Sequence, residues 1–240
     1  MTDTSVLWRQ GDWDRFPLDD EPAWPGQPFA LPVPNVKLRE ASSIAELEAF
    51  FAIGEAWAQM ISYFLAPDPL VLDIGCGCGK LARFLYLNPN LRYIGVDLFL
   101  PGIAWCRRAF RDLAGDRFRF EHFDGISRLY NPAGTIPAQE YRQPVDDATV
   151  DMVVCASLFT HLLQPECVHY LQEIARVLKP GGRATVSIHN QPASGAVFSG
   201  DASRIDIDED FFFELAQEAG LRLKQRIGMV YGQQVFLFEK

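Results

Sequence analysis

No run of lysine or arginine occurs in the 240 residues, and acidic side chains outnumber basic ones, 31 Asp+Glu against 22 Lys+Arg, for a net charge of -9. A nucleic-acid backbone is gripped by a surplus of cations, so no nucleic-acid partner is expected. The first residues, Met1-Thr-Asp-Thr-Ser-Val-Leu-Trp8, lack the basic region and apolar stretch of a secretion signal. The most apolar long window, 47–66, is interrupted by Glu48, Glu55 and Gln59, so no membrane span is expected. Cysteines are few and odd in number, at 76, 78, 106, 155 and 167. Without an export signal they read as reduced thiols of a cytoplasmic protein. Cys76-x-Cys78 has no second pair at ligand spacing, so no structural metal is expected.

What is present is an ordinary globular balance, 48% hydrophobic and 22% charged, which excludes disorder along the whole chain. Residues 1–35 stand apart. They hold Trp8, Trp13 and Trp24, with six prolines from Pro17 to Pro34. Proline fixes φ and removes amide donors, so an extended arm is expected, wrapping the domain formed by 36–240 and covering its active site. Ser43-x-x-Glu46 reads as a capping box opening a helix with Ile44, Leu47, Phe51, Trp57, Ile61 and Phe64 at helical spacing.

Strand and helix signals then alternate. Strands are expected at 70–74, 93–96, 118–123, 150–155 and 183–188, with helices from Lys80 to Leu87, from Pro101, after Pro165 and from Phe211 to Ala219. Lys179-Pro-Gly-Gly182 reads as a turn, and 221–230 with 234–239 as a closing hairpin. Repeated strand–helix units require right-handed crossovers and a mostly parallel sheet with helices on both faces, a doubly wound α/β fold. Two longer interruptions, 125–149 and 189–208, follow carboxyl ends of strands, where ligands bind in this architecture.

Asp73-Ile-Gly-Cys-Gly-Cys-Gly79 joins the first strand to the first helix of the series. Gly75, Gly77 and Gly79 remove Cβ atoms where the backbone turns and approaches a ligand, and the helix aims its first amides the same way. A nucleotide-like ligand is expected. Gly77-x-Gly79-x-x-Ala82 satisfies the looser dinucleotide pattern, and Asp97 stands where a carboxylate accepts ribose hydroxyls of either a dinucleotide or another adenosine ligand.

A longer set of motifs discriminates further. Val71-Leu-Asp-Ile-Gly-Cys-Gly-Cys-Gly79, Tyr93-Ile-Gly-Val-Asp97, Phe123-Asp124-Gly125, Val150-Asp-Met-Val153 and Leu178-Lys-Pro-Gly-Gly182 together resemble class I S-adenosylmethionine-dependent methyltransferases. Tyr130-Asn-Pro-Ala-Gly134, Ser157-Leu-Phe-Thr-His-Leu162 and Gln233-Gln-Val235 look like the branch acting mostly on small molecules. The resemblance implies seven strands with an antiparallel last strand, S-adenosyl-L-methionine as cofactor and a small-molecule methyl acceptor. It also implies that Asp73 and the backbone of Gly75, Cys76 and Gly77 face the methionine part. Asp97 would then bind the ribose, Leu98 pack on adenine, and Asp124, with Gly125, receive the adenine amino group. Ala156 and Ser157 would line the sulfonium side.

Methyl transfer is an in-line displacement carried largely by positioning, and a base is needed only for a weakly acidic hydroxyl or a protonated amine. His161, just beyond the fourth strand, is the first candidate base, and His189, at the end of the fifth, the second. His122 and His169 read as structural. Tyr130, Tyr141 and Phe198 are candidates for an apolar acceptor pocket. The favoured reading is O-methylation over N-methylation. An NAD-type oxidoreductase is the competing enzyme, but Tyr86, Tyr130, Tyr141 and Tyr170 are followed four residues on by Asn, Gly, Val and Ile, never by the lysine of a catalytic pair. A non-catalytic S-adenosylmethionine-binding protein is the third reading.

Overall fold

The computed structural model describes residues 16–21, 31–42, 44–201 and 203–240. Trp8, Trp13, Trp24 and Ser43 lie outside the described residues, and with them the tryptophan cover. Seven strands form one sheet: β1 (Leu70–Ile74), β2 (Arg92–Asp97), β3 (Phe118–His122), β4 (Val150–Cys155), β5 (Leu178–Ile188), β6 (Arg222–Val230) and β7 (Gln233–Glu239). Their order is β6-β7-β5-β4-β1-β2-β3. The chain runs outward from β1 to β3 and resumes on the other side of β1, which is the doubly wound pattern; right-handed crossovers then put helices on both faces. β4 pairs parallel with β1 and β5, whereas β7 is antiparallel to β5 and β6. Tyr231-Gly232 closes the β6–β7 hairpin with φ of 47° and 77°, the left-handed pair a tight two-residue turn requires.

The chain divides into two compact units. The first comprises Met1–Tyr63 and Cys76–Thr135. It holds β2, β3 and helices α1 (Val36–Ala41), α2 (Leu47–Ser62), α3 (Ala82–Leu85) and α4 (Leu100–Ala114). Its core is aromatic: Phe110 stacks on Phe118 at 5.6 Å and Tyr93 on Phe118 at 5.0 Å. α2 starts later than the expected capping box would place it: Glu46 is its N-cap rather than its third residue, without a side-chain cap. α3 is a single turn of four residues rather than the 80–87 helix expected. Phe84 N and Leu87 N bond three residues back, to Leu81 and Phe84, so the chain tightens at both ends, and Pro89 ends any continuation.

The described part of the N-terminal arm is pinned inside this unit. Phe16 packs edge-on against Phe99 at 5.3 Å. Asn35 caps α1, accepting from Lys37 N and Leu38 N, while its amide donates to the carbonyls of Pro17 and Asp19. Arg39 donates to Glu21 and to the Pro34 carbonyl at 2.8 and 2.6 Å. Asp20 accepts from the buried indole of Trp105 at 2.8 Å and from Arg108. The Arg108 pair is exposed on both sides and contributes little, so the indole decides the cost of losing Asp20. Asp20→Ala is expected to lower stability by about 1–3 kcal/mol, the cost of a buried donor left unsatisfied. Thermal unfolding measures it, and an unchanged Tm would show that the clasp contributes nothing.

The second unit comprises Phe64–Gly75 and Ile136–Lys240, with β1, β4–β7, α5 (Gln164–Val177) and α6 (Glu209–Glu218). Phe212 packs edge-on against Phe159 at 5.2 Å and against Phe238 at 6.0 Å, joining α6 to β7 and to the segment after β4. Two features depart from expectation. The 179–182 turn is absorbed into β5 as an excursion: Val150 pairs with Leu178 and Met152 already with Arg183. The 189–208 interruption contains an antiparallel hairpin, Phe198–Asp201 with Arg204–Ile207, that no local pattern announced.

Candidate functional site

In the first unit the glycine loop follows β1 and is held against β2. Cys76 N donates to the Val96 carbonyl at 3.2 Å, and Gly79 N to the Cys76 carbonyl at 3.1 Å. Gly77 has φ of +56°, and a Cβ there would lie 3.0 Å from the Ser42 hydroxyl, just past the end of α1. Both facts demand glycine: the backbone is left-handed and a neighbouring side chain occupies the space a methyl would take.

Asp97 ends β2, half-buried. Gly77 N donates to its Oδ2 at 2.7 Å and Phe99 N to its Oδ1 at 2.8 Å. One carboxylate therefore ties the glycine loop to the chain after β2. Burial raises its pKa, while the Phe99 and Gly77 amides and the charge of His122 pull the other way. The carboxylate keeps acceptor capacity for a ligand hydroxyl beyond these amide bonds. Leu98 is half-exposed beside it, and its carbonyl is bonded by His122 Nε2 at 3.2 Å, the structural role expected of that histidine.

Asp124 is engaged within its own loop. Thr135 Oγ1 donates to one oxygen at 2.6 Å and Asn131 Nδ2 to the other at 3.0 Å, and these bonds hold its pKa below the ordinary carboxylate value. Gly125 is buried beneath the Phe123 ring, which a Cβ would meet at 2.3 Å. The Asp-Gly signal thus serves loop closure in its own right.

In the second unit Asp73 is buried in β1, paired with Val154 of β4. Burial, and then the Asp73 charge, push the Cys155 thiol well above its usual pKa. Gly75 follows with φ of +86°, and a Cβ added there would lie 3.7 Å from the Leu158 side chain. Ala156, Ser157 and Leu158 leave β4 half-buried. His161 closes the next turn, its N–H donating to the Leu158 carbonyl at 3.0 Å, and Thr160 Oγ1 donates to the Ser157 carbonyl at 2.8 Å.

His189 follows β5 and is bound to the hairpin: Ile207 N donates to its carbonyl at 2.8 Å. Burial, then the charge of Arg204, lower its imidazole pKa, with Asp206 opposing. His169 bonds the Tyr141 carbonyl at 2.8 Å, a structural role. The structure thus gathers Cys76, Gly77, Asp97, Leu98, Asp124 and Gly125 in one unit, and Asp73, Gly75, Ala156, Ser157, His161 and His189 in the other.

Residues 71–182 match the family model described as a methyltransferase domain. Over that span, a little under half of its length, the chain is similar to methyltransferase domains. It is 27% identical over 136 residues to a 27-O-demethylrifamycin SV methyltransferase of Amycolatopsis mediterranei, a match covering 56% of this chain and 44% of that one. It is 28% identical over 134 residues to a tRNA (carboxymethyluridine(34)-5-O)-methyltransferase of Arabidopsis thaliana, covering 55% and 27%. The match thus spans less than half the length of either relative. Among solved structures, the fold resembles a 1,6-didemethyltoxoflavin-N1-methyltransferase of Burkholderia thailandensis, with bound 1,6-didemethyltoxoflavin and S-adenosylhomocysteine, at a TM-score of 0.60. That pair is 22% identical, with 81% of each chain covered.

Two further residues have no counterpart in the sequence reading as site residues, Ser187 on β5 and Gln233 at the start of β7; both hydrogen-bond to Ser157.

Proposed function

We propose that the chain is an S-adenosylmethionine-dependent methyltransferase acting on a small molecule, at oxygen in preference to nitrogen. The observation that carries the cofactor assignment is the Gly77–Asp97–Phe99 clamp: a carboxylate fixed by backbone amides beside left-handed glycines, with acceptor capacity left for a ligand. The bound cofactor supplies a methyl group on a sulfonium, ready for displacement. Asp73 offers a buried negative charge to its cationic end, with the backbone of Gly75, Cys76 and Gly77 alongside. Asp97 accepts from the ribose hydroxyls, Leu98 covers adenine, Asp124 receives its amino group beside Gly125, and Ala156 and Ser157 line the sulfonium side. His161 takes the proton of a hydroxyl acceptor, with His189 as the alternative base.

A small acceptor is favoured by the net charge of -9 and by the rifamycin-type relative, although another relative acts on tRNA. Among the described residues no helix is long and apolar enough to cross a membrane. The five cysteines are buried, which fits the reducing cytoplasm in which we place the protein. Calorimetry tests the assignment. S-adenosylhomocysteine should bind the full chain and NADH should not; the reverse would establish the oxidoreductase reading instead.

A further inference from the structure

Ser157 has φ of +61°, a left-handed backbone that a residue with a Cβ rarely adopts. Every polar group of this residue is committed within the protein. Its N–H donates to Ser187 Oγ at 2.8 Å, its hydroxyl donates to Gln233 Oε1 at 3.0 Å, and its carbonyl accepts from Thr160 Oγ1 at 2.8 Å. Ser187 Oγ also donates to Gln233 Oε1, at 2.7 Å, and closes a ring of three hydrogen bonds. Ser187 is completely buried on β5, and Gln233 opens β7, so three separate elements meet at one strained residue. The run from Ser157 N through Ser187 Oγ to Gln233 Oε1 is head-to-tail, so its two bonds polarise one another.

We infer that Ser187 and Gln233 are positioning residues: they hold the exit of β4 in its left-handed turn, and through it the Ala156–Ser157 backbone and the turn bearing His161. The inference rests on the proposed function, which gives that backbone to the sulfonium side of the cofactor. Without the ring, Ser157 relaxes toward ordinary backbone angles, and part of the binding free energy is spent restoring the turn.

The test uses S-adenosylhomocysteine as the probe, titrated by calorimetry into the full-length wild type and variants, with Tm followed in parallel. Ser187→Ala and Gln233→Leu should each weaken binding by about five- to thirtyfold, the population equivalent of forcing one non-glycine residue left-handed. Glycine takes that conformation freely, so adding Ser157→Gly to Ser187→Ala should restore most of the lost affinity, which a general loss of packing would not allow. Undiminished affinity in Ser187→Ala and Gln233→Leu, or a double variant no better than Ser187→Ala, overturns the inference and leaves the proposed function standing. Failure of the wild type to bind overturns both.

Discussion

Asp97→Ala should weaken S-adenosylhomocysteine binding by about 2–4 kcal/mol, the range for charge-assisted hydrogen bonds to two hydroxyls. The carboxylate is already oriented by Gly77 N and Phe99 N, so the ligand meets a preformed acceptor and spends nothing on ordering it. Asp97→Asn should lie between wild type and alanine, since it keeps one acceptor and loses the charge. The pH dependence adds a second reading. Burial raises the Asp97 pKa, so binding that needs the carboxylate should strengthen as pH rises through this raised value and weaken in acid sooner than an exposed aspartate would predict. Stability runs oppositely. A carboxyl whose folded pKa exceeds its unfolded one holds its proton longer when folded, so its contribution declines as pH rises from the ordinary carboxylate value to the raised one. Calorimetry and thermal unfolding across this window separate the two trends, and Asp97→Asn should abolish both. Wild-type affinity in a folded Asp97→Ala protein would defeat the ribose assignment.

The contrast between Asp97 and Ser187 shows which parts of the site local sequence can reveal. Asp97 follows a short apolar strand and lies twenty residues beyond Gly77, the loop amide it binds, so strand ending, glycine loop and carboxylate are readable in one pass. The strands β1 and β4 are legible for a related reason: a strand buried on both faces is a continuous apolar run, whereas β3, at the sheet edge, shows itself by alternation. Strand order is not a local property, and the expectation of an antiparallel last strand came from resemblance to a family. Ser187 is a small polar residue in an apolar strand, and its partners lie 30 and 46 positions away. Nothing nearby marks it. The left-handed Ser157 is equally silent, because the usual signal for that backbone is glycine. The hairpin in 189–208 escaped because each of its strands has only four residues. Asp124-Gly125 carried a true turn signal, but its hydrogen bonds to Asn131 and Thr135 show that one motif can close a loop while facing a ligand.

His161→Ala should lower turnover of a hydroxyl acceptor by about 10²–10⁴-fold, the usual contribution of a positioned general base. S-adenosylhomocysteine affinity should stay close to wild type, because no cofactor contact is assigned to the imidazole. The turn that carries His161 is fixed from both sides. Its own N–H reaches back to Leu158, and Ile205 of the hairpin donates to the Thr160 carbonyl at 2.8 Å. A base held on such a turn is placed before the acceptor arrives, which is the condition for proton removal to keep pace with methyl transfer. His161→Gln retains hydrogen bonding without basicity and should be nearly as slow as alanine. The wild-type rate should rise with pH through the range in which imidazoles titrate, and both variants should lose that limb. His189 supplies the discriminating alternative. Burial and Arg204 lower its pKa, so a limb owed to His189 would lie below the ordinary imidazole value and survive in His161→Gln. Full turnover in His161→Gln with its limb intact would therefore remove His161 from the reaction. Loss of the limb in His189→Gln would then assign the proton to His189, and a limb absent from every variant and from wild type would identify an acceptor that arrives already ionised.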